Sequence, residues 1–166
     1  MVKILGIDPG SRVTGYGFIE VAGNHHRYLS SGCIRLTAVD VAERLVTIFK
    51  TLEELISHWQ PSECAIEEVF VHHNVKGALK LGQARGAAIV ACGKLALPVA
   101  EYSARKIKQS VVGYGGADKN QMQHMVKTLL NLSSSPSADA ADALAVALCH
   151  AQQRHWRSAV AHALGK

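Results

Sequence analysis

The sequence predicts an α/β fold with a mixed five-stranded sheet and helices on both faces, on three observations. Short β-branched runs alternate with helically spaced segments in the order β-β-β-α-β-α-β-α-α-α. The first run leaves through a hairpin, so its neighbour on that side is antiparallel. The fourth must return beside the first from the other side, after a helical crossover.

Each element has its own signal. VKILGI (2–7) is a short apolar run closed by Asp8-Pro9-Gly10, which reads as a buried strand and a sharp turn. TGYGFIEVAG and HHRYLSSGCIRL are two antiparallel strands joined around Gly23-Asn24. From Asp40 to His58, apolar residues at Val41, Leu45, Ile48, Leu52, Leu55 and Ile56 have helical spacing, and Pro61 closes that segment. ECAIEEVF (63–70) is the fourth strand. Lys76 to Leu95 is a glycine-loosened helix, Pro98 to Tyr102 a short strand, and 103–112 a helix ended by GYGG. Asp118 to Leu130 is helical, SSSPS is a polar loop, and the last main helix begins near Ser137. One domain is expected over residues 1–155, with 156–166 as a frayed tail.

The composition is globular, with 48% apolar and 5% aromatic residues. No apolar run approaches the ~18–20 residues of a membrane span, and the start meets Gly and Asp too early for a signal peptide. A cytoplasmic protein is expected. Cys33, Cys64, Cys92 and Cys149 stand far apart in apolar surroundings and read as reduced core thiols. The adjacent pairs His25-His26 and His72-His73 lack zinc-ligand spacing.

Charge is unevenly distributed. Residues 37–68 hold seven acids against Arg44 and Lys50, whereas residues 72–127 hold nine bases against Glu101 and Asp118. A one-sided basic half is the footprint of a phosphate-backbone binder, although a solvated surface has the same composition.

The segment SADAADALAVALCH (137–150) carries Asp139 and Asp142 in a stretch with no other formal charge between Lys127 and Arg154. At ~100° per residue, the two carboxylates share one helix face with Ala143, Val146 and Cys149, while Leu144 and Leu148 lie opposite. A helix apolar on both faces is buried, and two like charges buried with it need a counter-charge. The alternative is that both acids answer the helix dipole with Ser137 as cap, which suits Asp139 better than Asp142. Asp8 at the end of the first strand and Glu67 near the end of the fourth lie at the switch point where open α/β sheets bind ligands. Converging with the helix pair, they would form a site of four carboxylates, which two divalent cations would neutralise. All-oxygen ligands select Mg²⁺ or Mn²⁺, and a two-metal site suits in-line displacement at phosphorus.

The blocks GIDPGSRVTGYG, AIEEVF, LKLGQARG, KQSVVGYGGADKNQMQHMV and ADAADALAVAL resemble, in order and over about residues 3–150, the RuvC Holliday-junction resolvases. The resemblance implies a ribonuclease-H-like fold, a homodimer, and symmetric nicking of four-way DNA junctions in recombination and repair. It implies two Mg²⁺ ions per site, with Mn²⁺ as a substitute, and work beside the RuvA and RuvB branch-migration proteins. The family's catalytic acids fall on Asp8, Glu67, Asp139 and Asp142, its important lysines on Lys108 and Lys119, and its junction-contacting aromatic on Phe70. Strand alternation sends Glu67 and Glu68 to opposite faces, so Glu67 is chosen on motif position and Glu68 is taken as a supporting residue.

Physical chemistry is consistent with these roles. Lys119 opens a helix, where the dipole disfavours a cation, so holding a phosphate beside the acids is an explanation for it. Lys106 and Lys108 add backbone contacts, with Arg105 completing a weak basic patch. Phe70 is either a core residue or an exposed ring that stacks on an unpaired base. A junction has two strands to cut and one domain offers one site, so two copies are expected. The candidate interface is the 76–95 helix, with Ala78, Leu81, Ala84, Ala88 and Val90, which could equally pack on the sheet; Lys80 and Arg85 would face DNA. Actin-like and sugar-kinase ATPases share the D-x-G turn but need a second lobe. A non-cleaving junction binder could lose the four acids at no cost. The remaining alternative is a ribonuclease-H-like nuclease acting on another nucleic acid.

Overall fold

The computed structural model describes residues 1–69 and 74–163, with side chains up to Arg154. Its centre is β1 (Val2–Asp8), in a sheet of order β3-β2-β1-β4-β5. β2 (Val13–Ala22) and β3 (His25–Arg35) form the antiparallel half. β4 (Glu63–Glu67) and β5 (Val99–Tyr102) run parallel to β1. The mixed five-stranded α/β fold follows the expectation.

Strand alternation sorts the core into two layers. Leu5, Ile7, Phe18 and Ile66 pack against α1 (Val41–Trp59) and α2 (Val75–Lys94). Ile4, Ile19 and Ala65 face α3 (Ala104–Val112), α4 (Lys119–Leu129) and α5 (Ala138–Ala163). α5 is buried on both sides from Ala143 to Cys149, as its composition requires.

Two glycines set how closely α5 can lie on the sheet. A Cβ on Gly6 would run into the Ala143 carbonyl oxygen and Ala147, and one on Gly15 would run into the Asp139 carbonyl oxygen. Gly15 pairs with Asp8 across the β1–β2 ladder. The first turns of α5 are therefore seated directly over the end of β1.

Several boundaries differ from expectation. β4 stops at Glu67 rather than running to residue 70. Its neighbours end there too, β1 before Pro9 and β5 at Tyr102, and the Glu68 N–H bonds to the Tyr102 carbonyl at 2.9 Å just beyond the strand end. Phe70 lies outside the described residues. The domain limit expected near residue 155 falls within α5, which stays helical to Ala163, and side chains beyond Arg154 lie outside the described residues. Ser137 turns its hydroxyl to Cys33 Sγ at 3.2 Å. The cysteines are not all isolated core thiols: Cys33 is half-buried, and the buried Cys64 and Cys92 bring their sulfurs within 3.6 Å.

The two uses foreseen for α2 separate onto different faces. Ala84 and Ala88 are buried against the chain's own core, which removes them from the expected interface. Val75, Leu79 and Val90 stay exposed, and a Cβ on Gly82, Gly86 or Gly93 would meet nothing within 4 Å.

Candidate active site

Asp8 and Glu67 are neighbours because Ile7 pairs with Ile66 in parallel register, which sets the following residues side by side at the carboxyl ends of β1 and β4. Alternation sends them to the α5 face with Ile4 and Ala65. On α5, Asp139 and Asp142 are carried to the same place by the close seating over Gly15. Asp8, Glu67 and Asp142 line a cavity of about 260 Å³ with Lys108, Lys119, Ile107 and Met122. Asp139 is close enough to act electrostatically on both Asp8 and Asp142. Glu68 lies outside that cavity and instead lines an adjoining one of about 730 Å³.

The acids perturb one another strongly. Burial, then the charges of Glu67, Asp142 and Asp139, push the Asp8 carboxyl up to about 8, with Lys119 pulling it back. Glu67 is pushed up to about 7 by burial and Asp142, with Lys108 opposing. Burial also raises Asp142, helped by Asp139 and opposed by Lys119 and Lys108. Acids destabilised to this degree in a cleft are a signature of a functional site rather than of a stabilising network.

The other basic residues divide clearly. Lys108 and Lys119 reach the acid cavity, Lys119 as the first residue of α4 beside its Asp118 cap. Lys106, two residues and about 200° around α3 from Lys108, is on the flank near Cys149 and lines neither cavity. Lys80 is exposed on α2, while Arg85 is half-buried and ion-paired to Glu101, so its charge is already engaged inside the chain. Sequence reasoning passed over the wall of the larger cavity, where Arg105, Ser103 and Leu81 join Asp8, Glu67 and Glu68. Only the basic run around Arg105 hinted at it. A further cavity of about 660 Å³, between β3 and residues 130–136, is lined by none of the four acids.

The donor chemistry fits a hard divalent cation: among the described residues that line the cavity, the charged donors are carboxylate oxygens, with no thiol or imidazole, and the acids outnumber the two lysines. Among the described residues, no group of three or more His, Cys, Asp or Glu side chains already stands in a metal-holding arrangement.

A family model for crossover junction endodeoxyribonuclease RuvC matches residues 4–150. The RuvC of Marinobacter nauticus is 58% identical over 166 residues, covering 100% of this chain and 95% of the relative. That of Idiomarina loihiensis is 61% identical over 156 residues, covering 91% and 88%. The solved structure of T. thermophilus RuvC in complex with Holliday junction substrate is 32% identical, covers 94% of this chain and 96% of its own, and superposes with a TM-score of 0.87. The chain belongs to the RuvC family of crossover junction endodeoxyribonucleases.

Proposed function

We propose that this chain resolves four-way DNA (Holliday) junctions by paired symmetric nicks, with Asp8, Glu67, Asp139 and Asp142 as the metal-holding catalytic acids and Mg²⁺ as the cofactor. The observation that carries it is the gathering of Asp8, Glu67 and Asp142, from β1, β4 and α5, around one cavity that also holds Lys108 and Lys119, with Asp139 close enough to act electrostatically on Asp8 and Asp142. Bound there, divalent cations supply charge neutralisation and water activation for in-line displacement at phosphorus. Burial of the acids keeps them unsatisfied by water, so the site favours cations. The Lys119 and Lys108 ammonium groups hold the scissile phosphate's oxygens against the acids, where their positive charge also opposes the build-up of negative charge during displacement.

Two equivalent cuts call for two copies of the chain. The stripe of exposed Val75, Leu79, Gly82 and Val90 with half-buried Gly86 on α2 is the surface proposed to join them, since it is apolar and its glycines admit close helix approach. Leu79→Glu should shift the protein toward monomer in sedimentation, and an unchanged dimer would place the interface elsewhere. RuvA and RuvB are proposed as co-workers from family membership. Among the described residues no helix is long and apolar enough to cross a membrane, and action on DNA fits the cytoplasm.

The test is Mg²⁺-dependent cleavage of a synthetic junction, each strand labelled in turn, beside a linear duplex and an RNA–DNA hybrid. Paired nicks in opposite strands of the junction are expected. Equal or better cutting of the hybrid would favour a ribonuclease-H-like nuclease with another substrate.

A further inference from the structure

Among the described residues the exposed Phe, Tyr or Trp rings are Tyr28 and Tyr114, and Tyr114, 47% exposed, is the more open. It sits in the loop from α3 to α4, between Gly113, which caps α3 at φ 93°, and Gly115. Its hydroxyl donates to Gln121 Oε1 at 2.6 Å. The same oxygen accepts the Asp118 N–H at 3.0 Å, while the Gln121 N–H donates to Asp118 Oδ1 at 2.9 Å. The ring is thus fastened by its polar end to the capping box that starts α4, and α4 starts with Lys119. Fixed in this way, the ring leaves about half its surface to solvent.

The loop also abuts the cavity wall. A Cβ on Gly115 would fall 2.7 Å from Arg105 Cγ, so Arg105 lies along the loop backbone. Arg105 in turn lines the 730 Å³ cavity with Asp8 and Glu67. Tyr114 therefore combines a tethered hydroxyl, an exposed ring, neighbouring glycines that let a ligand approach closely, and the Arg105 side chain against the same loop. A flat apolar surface beside a cation matches a nucleobase attached to its phosphodiester chain.

Resting on the proposed action on junction DNA, we infer that Tyr114 is a stacking platform for a nucleobase of the strand entering the acid cavity. It fixes where along that strand the acids meet the backbone. Stacking on an aromatic ring tolerates every base, so Tyr114 sets position more than it reads identity.

Tyr114→Phe keeps the ring and loses the tether, whereas Tyr114→Leu loses the ring and keeps apolar bulk. Each is compared with wild type for metal-free junction binding, single-turnover cleavage in Mg²⁺, and emission from 2-aminopurine placed at successive positions around the cut. Tyr114→Leu should lose about five- to a hundredfold in affinity or cleavage rate. Its salt slope should be unchanged, because no phosphate contact is removed. Its 2-aminopurine complex should be brighter at one position, where wild type and Tyr114→Phe quench. Binding, cutting and quenching unaltered in Tyr114→Leu would overturn the platform alone. A Tyr114→Phe protein as defective as Tyr114→Leu would also overturn it, by assigning the role to the tether. Wild-type protein that binds no junction would overturn the proposed function and the platform with it.

Discussion

Replacing Asp8 by Asn should make the metal-free protein more stable while removing its activity. The Asp8 carboxyl is held at about 8 against an ordinary 3.8, first by burial and then by Glu67, Asp142 and Asp139. At pH 7 it is ionised in the unfolded chain and protonated in the fold, so the fold binds a proton that the unfolded chain has released. Stability contributed by that proton is complete below 3.8 and is lost as pH rises toward about 8. At ~1.36 kcal/mol per pH unit, the interval from 3.8 to pH 7 caps the destabilisation at about 4 kcal/mol. Water at the cavity mouth screens the acids, which leaves about 1–3 kcal/mol. For a chain of this length, Asp8→Asn should raise the metal-free Tm by roughly 3–9 °C at pH 7. Thermal melts in EDTA at pH 7 and pH 5 measure it, with the gain shrinking at pH 5. Mg²⁺ should then raise the Tm of wild type more than that of Asp8→Asn. A gain that is absent, or equal at both pH values, would refute the view of Asp8 as an acid strained by its neighbours.

Three further outcomes follow from the placement of other residues. Lys119→Ala and Lys108→Ala should each slow cleavage and flatten the dependence of log affinity on log salt by about one phosphate contact, whereas Lys106→Ala should leave cleavage near wild type. Filter binding across a salt series, with matched cleavage rates, separates the two groups. Gly15→Ala should push its new Cβ against the Asp139 carbonyl, cost about 1–3 kcal/mol in urea unfolding, and reduce cleavage beyond what the lost stability explains by displacing Asp139 and Asp142. Arg85→Ala should cost more in stability than in junction affinity, since Arg85 is already paired with Glu101, and comparing its urea midpoint with its binding curve decides the point.

Much of the acid site was readable before the structure because its signals are local. An aspartate closing an apolar strand, and two more at i and i+3 in an otherwise neutral buried helix, are conflicts visible within a few residues. Glu67 is preferred to Glu68 on its place in the family's motif, and the pairing of Ile7 with Ile66 supplies the physical reason by fixing which face residue 67 takes. Other features depend on contacts distant in sequence. Nothing around Arg85 announces Glu101, nothing around Cys64 announces Cys92, and the face α2 turns inward is decided by its fit to α1 and the sheet. Tyr114 shows the same limit, because the oxygen that tethers it belongs to the capping box of the next helix. Gly6 and Gly15 were an unread clue, since glycine inside a strand often marks the close approach of another backbone.

The four-acid account rests most heavily on Asp142, because it lies beyond the first turn of α5, where the helix dipole that could account for Asp139 explains an aspartate poorly. Single-turnover cleavage of a synthetic four-way junction by Asp142→Asn, at saturating protein and Mg²⁺, tests it together with metal-free junction affinity. Affinity should stay close to wild type while cleavage falls by a factor of about 10³ or more, as expected when transition-state charge stabilisation is removed. Substantial cutting by Asp142→Asn would contradict the account and return that aspartate to the helix dipole.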